Sequence, residues 1–380
     1  MAAANHNSSR FAHKNVLAVG ICALGLLTHL PAQETNEKID VDGVTRSYIV
    51  HLPQGYDKQQ HYPVVILLHG ENQDADDLGR LTHFSQFAET KGVIVVYPNA
   101  ERGRWNIGVR PEAPPQNMAR QPYGRRGGYP GGGYPGGGGG YPGGGGGYPG
   151  GGGSQGGQAP GQNPDENKHQ SEPVDDLGFL NQMLDQLGIA YSVDSHRIYA
   201  AGLGDGGFMA LKAGCSMADR LAAVAAVGAE LPKTMICLPS RPIPVLLIDG
   251  TSDPVASYGG GTYKPGRFQL LSAEESSKSW ARFDHCSEKP EQGKIPPPDK
   301  SAKETKTLTF TGCGQDAQVV LYSVKDGGHT WPGGEQYVSE SEVGKVSHAI
   351  NANEVIWNFF STRKITNDNV KSSSGADDSR

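Results

Sequence analysis

The 380-residue sequence has no apolar run long enough to cross a bilayer as a helix, which takes about 20 residues. The longest, VLAVGICALGLL, stops at Leu27 after beginning at Val16. A basic excess is also missing. Lys and Arg number 34 against 40 Asp and Glu, for a formal net charge of −6. That balance argues against a nucleic-acid surface, which needs clustered positive charge. Cysteines are scarce, five in all. No metal or cofactor is expected.

Arg10, His13 and Lys14 precede the Val16–Leu27 run, and small residues follow near Ala32. A basic start, a short apolar run and small residues read as a secretory signal peptide over 1–32. Leu30 departs from the usual small residue at such a cleavage site, and Ile21 before Cys22 is too large for a lipoprotein signal. The expected location is secreted, extracellular or periplasmic, with no stable membrane insertion once the signal is removed. Four cysteines then remain, and an even number in an exported chain invites disulfides. Of three pairings, Cys215–Cys237 and Cys286–Cys313 are favoured, because each brackets neighbouring predicted elements. Buried free thiols are the alternative.

Glycine is abundant, at 54 residues. Much of it lies between 123 and 161, where Tyr129, Tyr134, Tyr141 and Tyr148 each precede a proline and a run of glycines. Such a composition buries too little surface to offset its ordering entropy, so a disordered insertion is expected there. Lys364 to Arg380 is polar, and a disordered tail is expected over 363–380. Residues 33–362 are read as one domain interrupted by the insertion.

Within that domain, apolar runs of strand length alternate with helical patterns. VTRSYIVHL at 44–52, YPVVILL at 62–68, VIVVY at 93–97, RIYAA at 197–201, 224–227 and PVLLI at 244–248 read as strands. Helical spacing covers 78–90, 174–190, 205–217, 272–284 and 347–361, and 306–311 with 318–324 read as a strand pair. This alternation predicts an α/β fold: a mostly parallel sheet with helices on both faces. The helix-free intervals 98–173 and 286–305 are expected as excursions over the catalytic edge.

The chemistry is read from three places. RIYAA runs into Gly202-Leu203-Gly204-Asp205-Gly206-Gly207 and then a helix, the setting of a nucleophile elbow, G-x-S-x-G. Gly202 and Gly206 are the small residues that turn needs. The central position is Gly204, which has no side chain with which to form an acyl-enzyme. Sliding the elbow so that Asp205 is the nucleophile would put Leu203 where a small residue is required. Asp253, in Gly-Thr-Ser-Asp-Pro after PVLLI, and His329, in GGHTWPGG, follow in the chain order of acid and base for this arrangement. The backbone N–H groups of Glu71, after His69-Gly70, and of Asp205 are the candidate oxyanion donors.

The stretches RSYIVHLPQGY, VVILLHG, VIVVYPNA with RWNIG, VDDLGFL, RIYAAGLGDGG, PVLLIDGTSDPV and GGHTWPGG cover most of residues 44–360. In them the chain resembles the secreted esterase family that includes polyhydroxybutyrate depolymerases and feruloyl or acetylxylan esterases. The resemblance implies an α/β-hydrolase fold, disulfides, and an ester-bearing polymer or phenolic ester as substrate. Members of that family generally carry serine where this chain has Gly204, so activity is expected to be weak or lost. The alternative is a non-catalytic binding protein for a polyester, polysaccharide or wall component.

Overall fold

A computed structural model describes residues 33–109, 174–264, 267–298 and 302–366. The expected signal peptide and the Gly/Tyr/Pro-rich insertion lie outside the described residues, as does most of the expected tail. Residues 363–366 are described and pack on the domain: Ile365 N–H donates to the His196 carbonyl at 2.9 Å, and the Ile365 side chain is buried.

In chain order the strands and helices are β1 (Gln33–Val41), β2 (Val44–Leu52), β3 (Tyr62–Leu68), α1 (Ala75–Thr82), α2 (Phe84–Glu89), β4 (Ile94–Pro98), α3 (Asp176–Ala190), β5 (Val193–Leu203), α4 (Asp205–Ser216), β6 (Ala223–Val227), β7 (Val245–Gly250), β8 (Gly261–Tyr263), β9 (Phe268–Leu270), α5 (Ala273–Phe283), β10 (Glu291–Ile295), β11 (Thr305–Phe310), β12 (Val319–Val324), α6 (Glu340–Val343) and α7 (Ala352–Phe360). Ten strands form one sheet in the order β1-β2-β4-β3-β5-β6-β7-β12-β11-β10, and β8 and β9 form a separate hairpin. From β4 to β12 the neighbours are parallel. Both ends of the sheet are antiparallel.

The parallel strands are apolar throughout because both faces are covered. In β3, Val64, Ile66 and Leu68 enter one core with Phe179 of α3, Phe208 of α4 and Trp280 of α5. Val65 and Leu67 enter the other, with Leu78 of α1, Phe84 of α2 and Phe360 of α7. Disulfides join Cys215 to Cys237 and Cys286 to Cys313. Among the described residues no helix is long and apolar enough to cross a membrane.

Three expectations shift. The helix over 78–90 is two, because His83 takes a left-handed φ of +51° that ends α1 and sends Phe84 inward. The interval 286–305 carries β10, whose polar EQGKI gave no apolar alternation; it pairs with β11 and forms the far edge of the sheet. The final helix starts at 352, capped by Asn351, whose side chain accepts from Glu354 N–H. The segment before it is irregular and clasps the loop that follows β12.

Strand order places the site. The chain passes from β3 to β4 on one side, and β5 then adds on β3's other side. Loops leaving β3 and β5 therefore diverge and open a crevice at the carboxyl ends of the strands, the usual ligand position in such sheets. Leu68 pairs with Gly202 there.

Candidate active site

Gly204 stands between β5 and α4 with φ +53° and ψ −114°. Glycine adopts these angles without strain, whereas any other residue incurs steric cost. Gly206 is required for a different reason. A Cβ there would overlap the Leu68 carbonyl, so the turn lies directly on the end of β3. The Asp205 N–H opens α4, where the first N–H groups of a helix have no intrahelical acceptor. The Glu71 N–H lies in the turn after β3. Neither N–H has an acceptor among the described residues.

His329 follows β12, in a loop held by backbone bonds. Gly328 N–H donates to Lys345 O at 2.9 Å, His329 N–H to Val343 O at 2.5 Å and Gly333 N–H to Ser347 O at 2.9 Å. The His329 Nδ1–H donates to Asp253 Oδ2 at 2.8 Å, and both residues are buried. The other Asp253 oxygen accepts from the N–H groups of Val255 at 2.7 Å and Ala256 at 2.8 Å. This fixes the tautomer: with Nδ1 protonated and spoken for, Nε2 is the free, basic nitrogen. Nε2 points at Gly204, 2.5 Å from where its Cβ would stand. Glu71, Leu203, Lys264, His329 and Tyr337 line one pocket of about 380 Å³.

Asp205 turns away from this pocket. Its carboxylate accepts from Trp105 N–H at 3.0 Å and pairs with Arg267 at 3.3 Å. Burial raises its pKa. The Glu71 side chain is likewise buried and pairs with Arg104 at 2.6 Å and with Lys264 from the β8–β9 hairpin. The candidate roles of Glu71 and Asp205 therefore concern their main chains alone. His69 accepts from Ala100 N–H at Nε2 (3.0 Å), which leaves Nδ1–H to donate to Gly70 O at 2.7 Å. Burial lowers its pKa and keeps it neutral. Trp105 Nε1–H donates to the His69 carbonyl at 2.9 Å. His69 and Trp105 thus fasten the Glu71 loop to the segment after β4.

Sequence reasoning missed several of these partners. Arg104, Lys264 and Arg267 have no local signal, because their roles depend on distant loops meeting. Glu230 follows β6 and is fully buried. Among the described residues neither of its carboxyl oxygens has a hydrogen-bond partner, and the same holds for Asp249 Oδ2. Burial, then the charges of Asp249 and Asp253, hold the Glu230 carboxyl well above the usual carboxylate range. Asp249 is raised in the same way.

The sheet order, the crevice at its switch point and the β5–α4 turn define an α/β-hydrolase fold. An Esterase family model matches residues 43–126. The chain is 24% identical over 314 residues to "Putative esterase NocK" of Nocardia uniformis subsp. tsuyamanensis, across 80% of this chain and 75% of that protein. It is 33% identical over 165 residues to "Feruloyl esterase B" of Piromyces equi, across 41% of this chain and 29% of that one. Acetyl xylan esterase from Aspergillus awamori, a solved structure, aligns at 12% identity and a TM-score of 0.45, across 78% of this chain and 94% of that one. In sequence the chain is thus similar to esterases.

Proposed function

We propose that the chain is a secreted carboxylic-ester hydrolase-type protein, similar to polyhydroxybutyrate depolymerases and feruloyl esterases, whose hydrolysis is slow or lost. One observation carries this reading: Gly204 occupies the turn facing His329 Nε2 and offers no nucleophilic atom. With a hydroxyl at that point, His329 would take its proton, Asp253 would stabilise the imidazolium, and the N–H groups of Glu71 and Asp205 would receive the oxyanion. Without it, only water can be activated. A site of this type that lacks a triad member retains about 10³–10⁴-fold catalysis over water. Working enzymes typically reach about 10⁶-fold or more.

The test is hydrolysis of short aryl esters by the purified chain and by Gly204→Ser. The reading expects slow or no turnover by the natural chain and a gain in the variant. Fast turnover by the natural chain would overturn it.

A second reading, a non-catalytic binding protein for a polyester, polysaccharide or wall component, is favoured by the pocket beside Gly204, which stays open although the nucleophile is absent. Retention on insoluble polymers supports it, and lack of retention on all of them removes it.

A further inference from the structure

A second concavity, about 780 Å³, lies over β10, β11 and β12 and is walled by α5. Its size is within the range of about 300–1,000 Å³ usual for ligand clefts. The chain is acidic overall, yet this groove is lined by Lys278, Lys303, Lys306 and Lys325. Lys325 lies 3.5 Å from Asp326. Lys278, Lys303 and Lys306 form no ion pair among the described residues. Of the two lining glutamates, Glu304 is already paired with Lys294 at 3.1 Å.

The register adds an independent observation. Lys294 and Lys306 stand directly opposite each other on β10 and β11. Like charges so placed destabilise an antiparallel pair. Lys306 also faces Ser323 on β12. Lys306 thus stands unpaired beside the Lys294–Glu304 pair at the sheet edge, and a concave, low-dielectric wall concentrates the field of the groove's unpaired lysines. Neutral hydrogen-bonding groups lie between the lysines: Thr251, Gln292 and the bonded pair Tyr258–Ser323, whose hydroxyls are 2.8 Å apart.

The geometry points to a binding groove for an acidic polysaccharide, one bearing carboxylates or sulfates on hydroxyl-rich rings. The unpaired lysines meet the anions, and the hydroxyl and amide groups meet the sugar hydroxyls. Among the described lining residues Tyr258 is the one aromatic, so they offer no run of stacking faces of the kind single-stranded nucleic acid uses. Thr251 is two residues before Asp253, so the groove opens beside the turn that holds the acid. It would keep a polymer at the carboxyl edge of the sheet, whether or not residue 204 supports hydrolysis.

Affinity electrophoresis of the full chain through gels containing polygalacturonate, heparin, neutral dextran or polyphosphate tests this. Retardation is expected with polygalacturonate or heparin, weakening steeply with salt, and none with dextran. Retardation by polygalacturonate identifies carboxylate as a sufficient anion, and retardation by heparin without polygalacturonate identifies sulfate, because heparin carries both groups. Lys278→Glu/Lys306→Glu is expected to weaken retention at least tenfold and to remain folded, because the new carboxylate at 306 faces Lys294. Lys38→Glu/Lys58→Glu, with the same charge change elsewhere, is expected to retain it. The proposal is overturned by absent retardation, by retardation with polyphosphate alone, or by equal loss in the two double variants.

Discussion

His329 Nε2 lies 2.5 Å from the point where a Cβ on Gly204 would stand. A real Cβ does not approach a nitrogen that closely, so the imidazole has taken up space that a serine would claim. It can yield, because it is the far end of a side chain, yet Asp253 limits how far.

Introducing a hydroxyl therefore has two separable effects. Gly204→Ser and Gly204→Ala both force a non-glycine residue into φ +53°, ψ −114°, at about 1–3 kcal/mol. Thermal melting is expected to show similar losses for both. Aryl-ester hydrolysis is expected to rise on the order of 100-fold or more in Gly204→Ser alone, given the weight a nucleophile carries in such sites. Equal activity of the two variants would show that residue 204 is not the nucleophile position.

The dyad has its own signature in the Gly204→Ser background. Asp253→Asn keeps the shape but reverses the hydrogen bond that fixes Nδ1–H, and is expected to remove most of the gained turnover, up to about 10⁴-fold. His329→Gln is expected to do the same. If kcat survives His329→Gln, His329 is not the base; if it survives Asp253→Asn, Asp253 does not orient it.

Packing of the turn predicts a contrast between two glycines. Gly206→Ala drives a methyl group into the Leu68 carbonyl and is expected to cost about 2 kcal/mol or more. Gly188 in α3 has open space around its Cβ position. Gly188→Ala is expected to stabilise by about 0.5–1 kcal/mol, the usual gain over glycine in a helix. Denaturant melts of the pair compare the two.

Glu230 sets a pH dependence. Its carboxyl is raised in the folded state, so the folded chain holds a proton that the unfolded chain releases near pH 4.3, about the ordinary glutamate value. Stability is then full below that pH and falls as pH rises toward the folded value, by about 1.4 kcal/mol for each unit of displacement. Glu230→Gln needs no proton. It is expected to match the parent near pH 4 and to melt higher at pH 7–8. Parallel melting curves across that range would show that Glu230 is ionised in the fold.

The buried centre was legible in the sequence because burial on both faces writes continuous apolar runs, as in YPVVILL and AVAAV. The turn was legible because a Cβ at Gly202 or Gly206 would meet backbone, and Gly204 takes a positive φ. The sheet edges were not. QETNEKIDV of β1 and EQGKI of β10 carry polar residues on exposed faces, and β8 and β9 are three residues each. Nor could any local pattern bring Lys264 to Glu71, which takes distant loops meeting, or a second buried carboxyl behind Asp253, which takes the strand order.

The most direct measurement is fluorophosphonate labelling mapped by mass spectrometry on the natural chain and on Gly204→Ser. An adduct at position 204 in the variant, and none in the natural chain, is the predicted result. A labelled natural chain, or a folded variant that stays unlabelled, would contradict the account.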